Sequence, residues 1–389
     1  MSGHHRIVVK LGTQVVVNAT SGTPALDRIS AILLDIKNLL SAGHEIILVS
    51  SGAIGMGRQA LHLTGPLSLA QRQACASVGQ VRMMSLYDQM CIALGITTAQ
   101  ILVTSNNFAD RAAYLNLGNT CEALLSLGTL PIFNENDVVS TAGIKERGDL
   151  PASFEQRSFD DNDKLSALIA GKLAADILVI LTGVDGVYSD NPETNPLAER
   201  ISLISSLPQL NSVACSGTSS LGRGGMSSKL EAAKIAALCG VKTIITSACK
   251  SEPVTAVLSG GAGTTIDLRP TDTPLLRGKR RWFGTASGFT GIITVDNQAR
   301  KILELGGASL LPVGVVKVEG EFEIGDVVSI VDQSGVEIGR GIASQMASTL
   351  RQVAGLRSAD ARPLLTIHDK EEAIHRDNLA IFTEASDVA

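Results

Sequence analysis

Lys229 follows Gly225 by four residues in the stretch "SSLGRGGMSSKLEAA" at 219–233, and that spacing limits the phosphate chemistry available to it. A P-loop puts its lysine directly after the last glycine, in G-x-x-x-x-G-K-[ST]. Here the lysine falls about one helical turn into the next segment. Gly222, Gly224 and Gly225 let the backbone turn tightly and approach an anion. Ser227 and Ser228 add hydroxyls, and a helix beginning there would point free amide hydrogens and its positive dipole end at the same place. Taken alone, the pattern fits a phosphate site and a glycine loop before an ordinary helix about equally well, because short glycine motifs are weak evidence.

Lys10 strengthens the phosphate reading. It ends the apolar run "RIVVK" and is followed by a turn at Gly12. A charge at that position is either a solvated strand end or a group held over the crevice where strands end. Two lysines from distant loops make an anion clamp. Phosphoryl transfer needs such a clamp, because its catalysis is chiefly positioning and stabilisation of charge on the moving oxygens.

Two further stretches could supply the acceptor side. In "SSGAIGMG" at 50–57 the glycines are spaced G-x-x-G-x-G, which is not the dinucleotide fingerprint, so a nicotinamide cofactor is discounted. Ser51, Gly52 and Ala53 still lie between a strand and a helix, with backbone amides free to meet a carboxylate or phosphate. In "SFDDNDKLSALIAGKLAA", Asn162 and Asp163 open an amphipathic helical pattern. Helix capping is the simpler reading of that pair on its own.

The elements that must carry these residues alternate. "RIVVK", "EIILVSS", "AQILVT", "LPIFN", "DILVILT" and "KTIITS" read as strands, separated by helical patterns at 25–40, in a stretch running through Gly95, and at 109–127, 163–175 and 225–239. This is the grammar of an α/β protein, a mainly parallel sheet between two helical layers, with its ligand loops at the strand ends. The basic stretch "LLRGKRRWFGTASG" at 275–288 reads as a junction. After it, short alternating strands such as "GIITV", "GVVKVEGEF", "DVVSIVD" and "VEIGRGIA" predict a small β-rich domain with one helix near 297–306. The expected boundaries are 1–274, a linker at 275–288, a small domain at 289–370 and a C-terminal extension at 371–389.

Composition favours small-molecule chemistry. Of 389 residues 44% are apolar, which is ample for a core; the net charge of -5 and an aromatic content of 3% argue against a nucleic-acid binder. Residues 290–389 carry 9 Lys and Arg against 15 Asp and Glu, so an acidic C-terminal module would repel phosphates. The six cysteines form no C-x-x-C pair and read mostly as buried thiols of a reducing cytoplasm. No apolar run is long enough to span a membrane, and a cytosolic protein is expected.

Six ordered motifs, "VVKLGT", "VSSGAIGMGR", "NEND", "DNDKLSA", "LTGVDGVYSDNP" and "GRGGMSSKLEAA", resemble the glutamate 5-kinase family of the amino acid kinase superfamily. The small domain, most characteristically "LELGGASLLPVGVVKVEGEFEIGDVVSI", resembles a PUA domain. The resemblance spans nearly the whole chain. It implies a three-layer α/β/α sandwich and ATP-dependent phosphorylation of the side-chain carboxylate of L-glutamate, the first step of proline synthesis. It assigns Lys10 and Lys229 to the transferring phosphoryl group and Asp163 to orienting both lysines. Ser51, Gly52, Ala53, Asn134, Asp137 and Asn162 would hold or border glutamate. Lys10, Gly12, Thr182, Gly183, Arg223, Gly224, Gly225, Met226, Ser227, Ser228 and Lys229 would border ATP, with Mg2+ on its phosphates and no metal cage from the protein. It further implies a homotetramer or homodimer, feedback inhibition by proline, and hand-off to a γ-glutamyl phosphate reductase. Aspartate, N-acetylglutamate, carbamate or UMP as acceptor, or RNA binding through the small domain, are the competing readings. Two departures stand out: the family usually has Asp where this chain has Gly183, and the loop at 146–161 is longer than expected.

Overall fold

The computed structural model describes residues 3–18, 21–139, 162–190, 192, 194–195, 197–216, 225–261, 263–268, 284, 289–365 and 370–382. Arg223, Gly224, the 146–161 loop and nearly all of the 275–288 junction lie outside them. The chain divides into two compact units, Met1–Thr104 with Leu115–Asp272, and Ser105–Tyr114 with Thr273–Ala389.

The elements run β1 (Arg6–Leu11), α1 (Thr13–Val16), α2 (Leu26–Ser41), β2 (Glu45–Ser50), α3 (Ala53–Ala60), α4 (Leu69–Ala93), β3 (Thr98–Val103), α5 (Ser105–Ala109), α6 (Arg111–Ser126) and β4 (Leu130–Glu135). They continue with α7 (Asn162–Lys172), β5 (Ile177–Thr182), β6 (Val187–Tyr188), β7 (Arg200–Ile201), β8 (Leu203–Ile204), α8 (Leu207–Ser216), α9 (Met226–Leu238), β9 (Lys242–Ser247), α10 (Pro253–Leu258) and β10 (Thr264–Ile266). Eight of these strands form one sheet in the order β3-β4-β2-β1-β5-β9-β10-β8, parallel throughout except for the β9–β10 pair. β6 and β7 form a separate antiparallel pair.

The central strands read as unbroken apolar runs because both of their faces are covered. Along β1, Ile7, Val9 and Leu11 join a core with Ile29, Ile32, Leu33 and Ile36 of α2, whose spacing gives one apolar stripe. Val8 and Lys10 alternate to the opposite face. Register brings the functional loops to one edge: Leu11 is level with Ser50 and Leu181, and Thr182 with Ser247. Phe133 pairs with Val49, so Asn134 follows at the level of Ser50.

α7 departs from the amphipathic expectation. Asp163 and every residue from Leu165 to Gly171 are buried, because the helix is enclosed between the sheet and α9. α9 meets it with Ala232, Ala233, Ala236 and Ala237 buried, small side chains that admit a close approach. At the far end, a β-carbon on Gly171 would lie 2.7 Å from Cys239 Sγ. This tight pairing sets the starts of the two helices beside each other.

α3 and α4 approach as closely. A β-carbon on Gly79 would fall 1.7 Å from the Ala53 carbonyl oxygen, and one on Gly57 would fall 1.8 Å from that of Cys75. Gly79→Ala is therefore expected to push α3 away and to cost about 1–3 kcal/mol by overpacking. Thermal unfolding checks this, and an unchanged melting temperature would contradict the packing described.

The second unit contains β11 (Gly291–Val295), α11 (Asn297–Leu305), β12 (Val315–Gly320), β13 (Val327–Val331), β14 (Glu337–Ile342), α12 (Ala347–Val353), α13 (Ser358–Ala361) and β15 (Leu379–Ile381). Its sheet runs β12-β11-β13-β14-β15 around a core of Ile293, Val328, Ile330, Ile338 and Leu350. Two features differ from the sequence expectation. Beyond the one expected helix there are α12, which buries Ala347, Leu350 and Val353, and the one-turn α13. The expected extension past 370 supplies the edge strand β15, held because Ala373, Ile374 and Leu379 complete the core.

Among the described cysteines, Cys75, Cys91, Cys121 and Cys239 are buried thiols outside any disulfide, whereas Cys249, just past β9, is exposed. Burial pushes the thiols of Cys91 and Cys121 up to about 11 and about 12, so both stay protonated and unreactive. No helix among the described residues is long and apolar enough to cross a membrane.

Candidate active site

At the C-terminal edge of the sheet, one carboxylate holds two lysines. Asp163, fully buried at the start of α7, has Oδ1 2.5 Å from Lys10 Nζ and Oδ2 3.0 Å from Lys229 Nζ. The Ser228 hydroxyl donates to the same Oδ2 at 3.2 Å. Lys10 is 2% and Lys229 6% exposed, so all three charges are withdrawn from water. Such burial is tolerated because each ammonium faces the carboxylate. Both lysines are thereby fixed on one side of the sheet by a single carboxylate. Asp163 thus does more than the helix capping that the sequence suggests for it.

Backbone groups surround the cluster. α9 starts on Gly225, α3 on Gly52 and α1 on Gly12, N-cap glycines with no side chain of their own to cap the first turn. The first turn of α9, with Met226, Ser227 and Ser228, lies next to Lys229 and directs its backbone amides toward the helix start. Gly12 donates to the Leu181 carbonyl at 3.3 Å, which ties the loop after β1 to the end of β5. Thr182 and Gly183 follow directly, and a β-carbon on Gly183 would lie 3.5 Å from Gln14 Oε1. Gln14 thus occupies the neighbourhood of the side chain that Gly183 lacks.

The second group centres on Asn162. Its Nδ2 contacts the Ser50 carbonyl (2.7 Å), Asn134 Oδ1 (2.8 Å) and Ser51 Oγ (3.0 Å). Three loops far apart in sequence are joined through this one amide. Gly52 takes a left-handed φ of 111°, which turns the chain from Ser51 into Ala53 and α3. Asp137 is hydrogen-bonded to none of these residues. It is half-buried in the loop after β4, where desolvation raises its pKa and the charge of Arg72 partly offsets this.

Sequence reasoning missed α4 as a wall of this site. Its face toward β2 and the 134–139 loop carries Arg72, Gln73, Gln80, Met83 and Tyr87, at helical spacing. Gln80 Oε1 accepts from Asn134 Nδ2 at 2.8 Å, and Gln73 Nε2 donates to the Val138 carbonyl at 3.2 Å. The fully buried Tyr87 hydroxyl lies 2.7 Å from Ser50 Oγ, which reaches the Ser51 carbonyl at 3.2 Å. Desolvation raises the tyrosine's pKa, so it stays a neutral donor bracing the Ser50–Ser51 turn. No short motif marks these residues; only the stripe they share could have revealed them.

Residues 5–247 match the amino acid kinase family and residues 291–365 match the PUA domain. Over nearly its full length the chain is similar to curated relatives that bear the name Glutamate 5-kinase. It is 40% identical to that of Trichlorobacter lovleyi over 98% of this chain and 97% of the relative. For Gloeobacter violaceus the figures are 40%, 97% and 99%, and for Cereibacter sphaeroides 42%, 97% and 97%.

Proposed function

Because the chain belongs to the amino acid kinase family and ends in a PUA domain, we propose that it transfers the terminal phosphoryl group of ATP to the side-chain carboxylate of glutamate. The observation that carries the reading is the buried Lys10–Asp163–Lys229 cluster, flanked by helix starts at glycine and by a separate polar group around Asn162. The near-full-length relatives favour glutamate over aspartate, N-acetylglutamate, carbamate or UMP.

In this reading ATP lies along Gly12, Thr182, Gly183 and the segment from Arg223 to Lys229. Lys10 and Lys229 neutralise charge as it builds on the phosphoryl oxygens, where fixed cations need no reorganisation. Asp163 orients the lysines. It is not the base, because a carboxylate acceptor has no proton to remove. Two lysines fixed side by side suit a triphosphate, and the described residues bring no group of three metal-ligating side chains together. Mg2+ bound to the phosphate oxygens of ATP would withdraw charge from them while Lys10 and Lys229 hold the phosphoryl group.

Glutamate is held by Ser51, Gly52, Ala53, Asn134, Asp137 and Asn162. Asp137 faces the ammonium, and hydroxyls and amides face the carboxylates. Asp137→Ala is expected to weaken glutamate binding about tenfold or more and leave ATP binding unchanged in calorimetry. Because burial raises the pKa of the free Asp137, glutamate binding should fall off with acidification at a higher pH than an ordinary carboxylate would give. Glutamate affinity equal to that of the unmodified chain would remove Asp137 from the site.

The product is an acyl phosphate, too labile to accumulate, which fits hand-off to a γ-glutamyl phosphate reductase. Proline as inhibitor and assembly into a homodimer or homotetramer belong to the same reading, as does the cytosol, where ATP and free thiols coexist. A coupled assay of ADP release tests it across glutamate, aspartate, N-acetylglutamate, carbamate and UMP. Glutamate should be the preferred acceptor, and a preference for any other would overturn the reading.

A further inference from the structure

Resting on glutamate as the acceptor, we infer that Gln80 is a specificity-determining residue whose Nε2 donates a hydrogen bond to the α-carboxylate of the amino acid. The direction of each amide in the site follows from two backbone groups with fixed roles. The Glu135 N–H can only donate, so the Asn134 atom 2.9 Å away is its oxygen. Asn134 nitrogen then donates to Gln80 at 2.8 Å, which makes the Gln80 atom in that bond the oxygen. The Ser50 carbonyl can only accept, so Asn162 presents nitrogen to it, and the same nitrogen reaches Asn134 Oδ1. These bonds are mutually consistent and leave Gln80 Nε2 over.

That nitrogen is shielded from solvent and has no hydrogen-bond partner among the described residues. A buried donor left unpaired is costly, and a carboxylate is its strongest complement. Position selects which carboxylate. The reacting one must reach the phosphoryl group at Lys10 and Lys229, whereas Gln80 is bonded to Asn134, at the head of the loop that carries Asp137. On α4, Arg72 acts on Asp137 and Gln73 bonds Val138, so the face that carries Gln80 runs along this loop. The ammonium held by Asp137 and the α-carboxylate share one carbon, which brings the α-carboxylate to Gln80.

Gln80→Glu tests the contact with little change of shape. It keeps an oxygen for Asn134 Nδ2 and replaces only the free donor with a carboxylate oxygen. In the full chain at saturating ATP and pH 8, the glutamate KM should rise about tenfold to a hundredfold, the range for one hydrogen bond to a charged group. Both kcat and the KM for ATP should stay within about twofold. Two readouts separate contact from a structural role. The inhibition constant of 4-aminobutyrate, which lacks the α-carboxylate, should not change. The ratio of variant to unmodified KM should shrink toward pH 5, where the introduced carboxyl regains a proton to donate. Gln80→Met, similar in length and apolar, supplies the 4-aminobutyrate comparison should Gln80→Glu unfold. Glutamate-dependent ADP release by the unmodified chain tests the parent reading separately. With that activity present, an unchanged glutamate KM in a folded variant, or equal losses for glutamate and 4-aminobutyrate, overturns the inference.

Discussion

Lys229→Ala and Lys10→Ala are each expected to lower kcat about a hundredfold to a thousandfold, with much smaller changes in the KM for glutamate. Each ammonium is nearly buried and fixed by Asp163, so it is already in place when charge spreads over the phosphoryl oxygens. Loss of one such donor from a dry site costs on the order of 3 kcal/mol of transition-state stabilisation. The substrate's ground state gains less from it, which is why kcat should carry the effect. Steady-state kinetics of the folded variants checks this. Near-normal turnover by either variant would remove that lysine from catalysis.

Asp163→Ala should show the largest combined effect. It leaves two buried ammonium groups facing each other without the carboxylate that both now contact. Removing one partner of a buried ion pair costs about 3–5 kcal/mol, because the remaining charge stays desolvated. A lower melting temperature and loss of turnover are therefore both expected. Asp163→Asn, which preserves shape and the bond to Ser228, should recover part of the stability and little of the turnover, since an amide cannot balance two lysines. Full turnover in Asp163→Asn would show that the carboxylate's charge is not what positions them.

The parts of this site that could be read in the sequence are those in which a residue breaks its local pattern. Lys10 at the end of an apolar strand and the glycines at 222–225 stand out in this way, although a solvated strand end and an ordinary loop before a helix account for each of them taken alone. The central strands were legible for a similar reason, since strands covered on both faces cannot alternate. Asp163 was less legible: at a helix start, a carboxylate serving as a cap and one serving two distant lysines look alike. Only the enclosure of α7 between the sheet and α9 separates them.

The wall that α4 makes beside Ser50 and Asn134 was marked by no motif, only by the stripe its residues share. Gln80 and Tyr87 sit on a long helix whose residues suit many environments, and their meaning comes from Asn134 and Ser50, which lie on other strands. The two-residue strands β6, β7 and β8 are too short to show a period. In the second unit, α12 shows only three apolar positions among polar ones, and β15 is recognisable as a strand only once β14 offers it an edge. Non-local pairing sets these elements, and a sequence carries it weakly.

The most direct test is to trap the product. Incubating the full chain with ATP, Mg2+, glutamate and hydroxylamine should convert the acyl phosphate into a stable hydroxamate, with ADP released in equal amount. Mass spectrometry should place the hydroxamate on the side-chain carboxyl of glutamate, and both products should form about a hundredfold or more slowly when Lys229→Ala replaces the unmodified chain. Hydroxamate on the α-carboxyl, or ADP release with no glutamyl hydroxamate, would contradict the account.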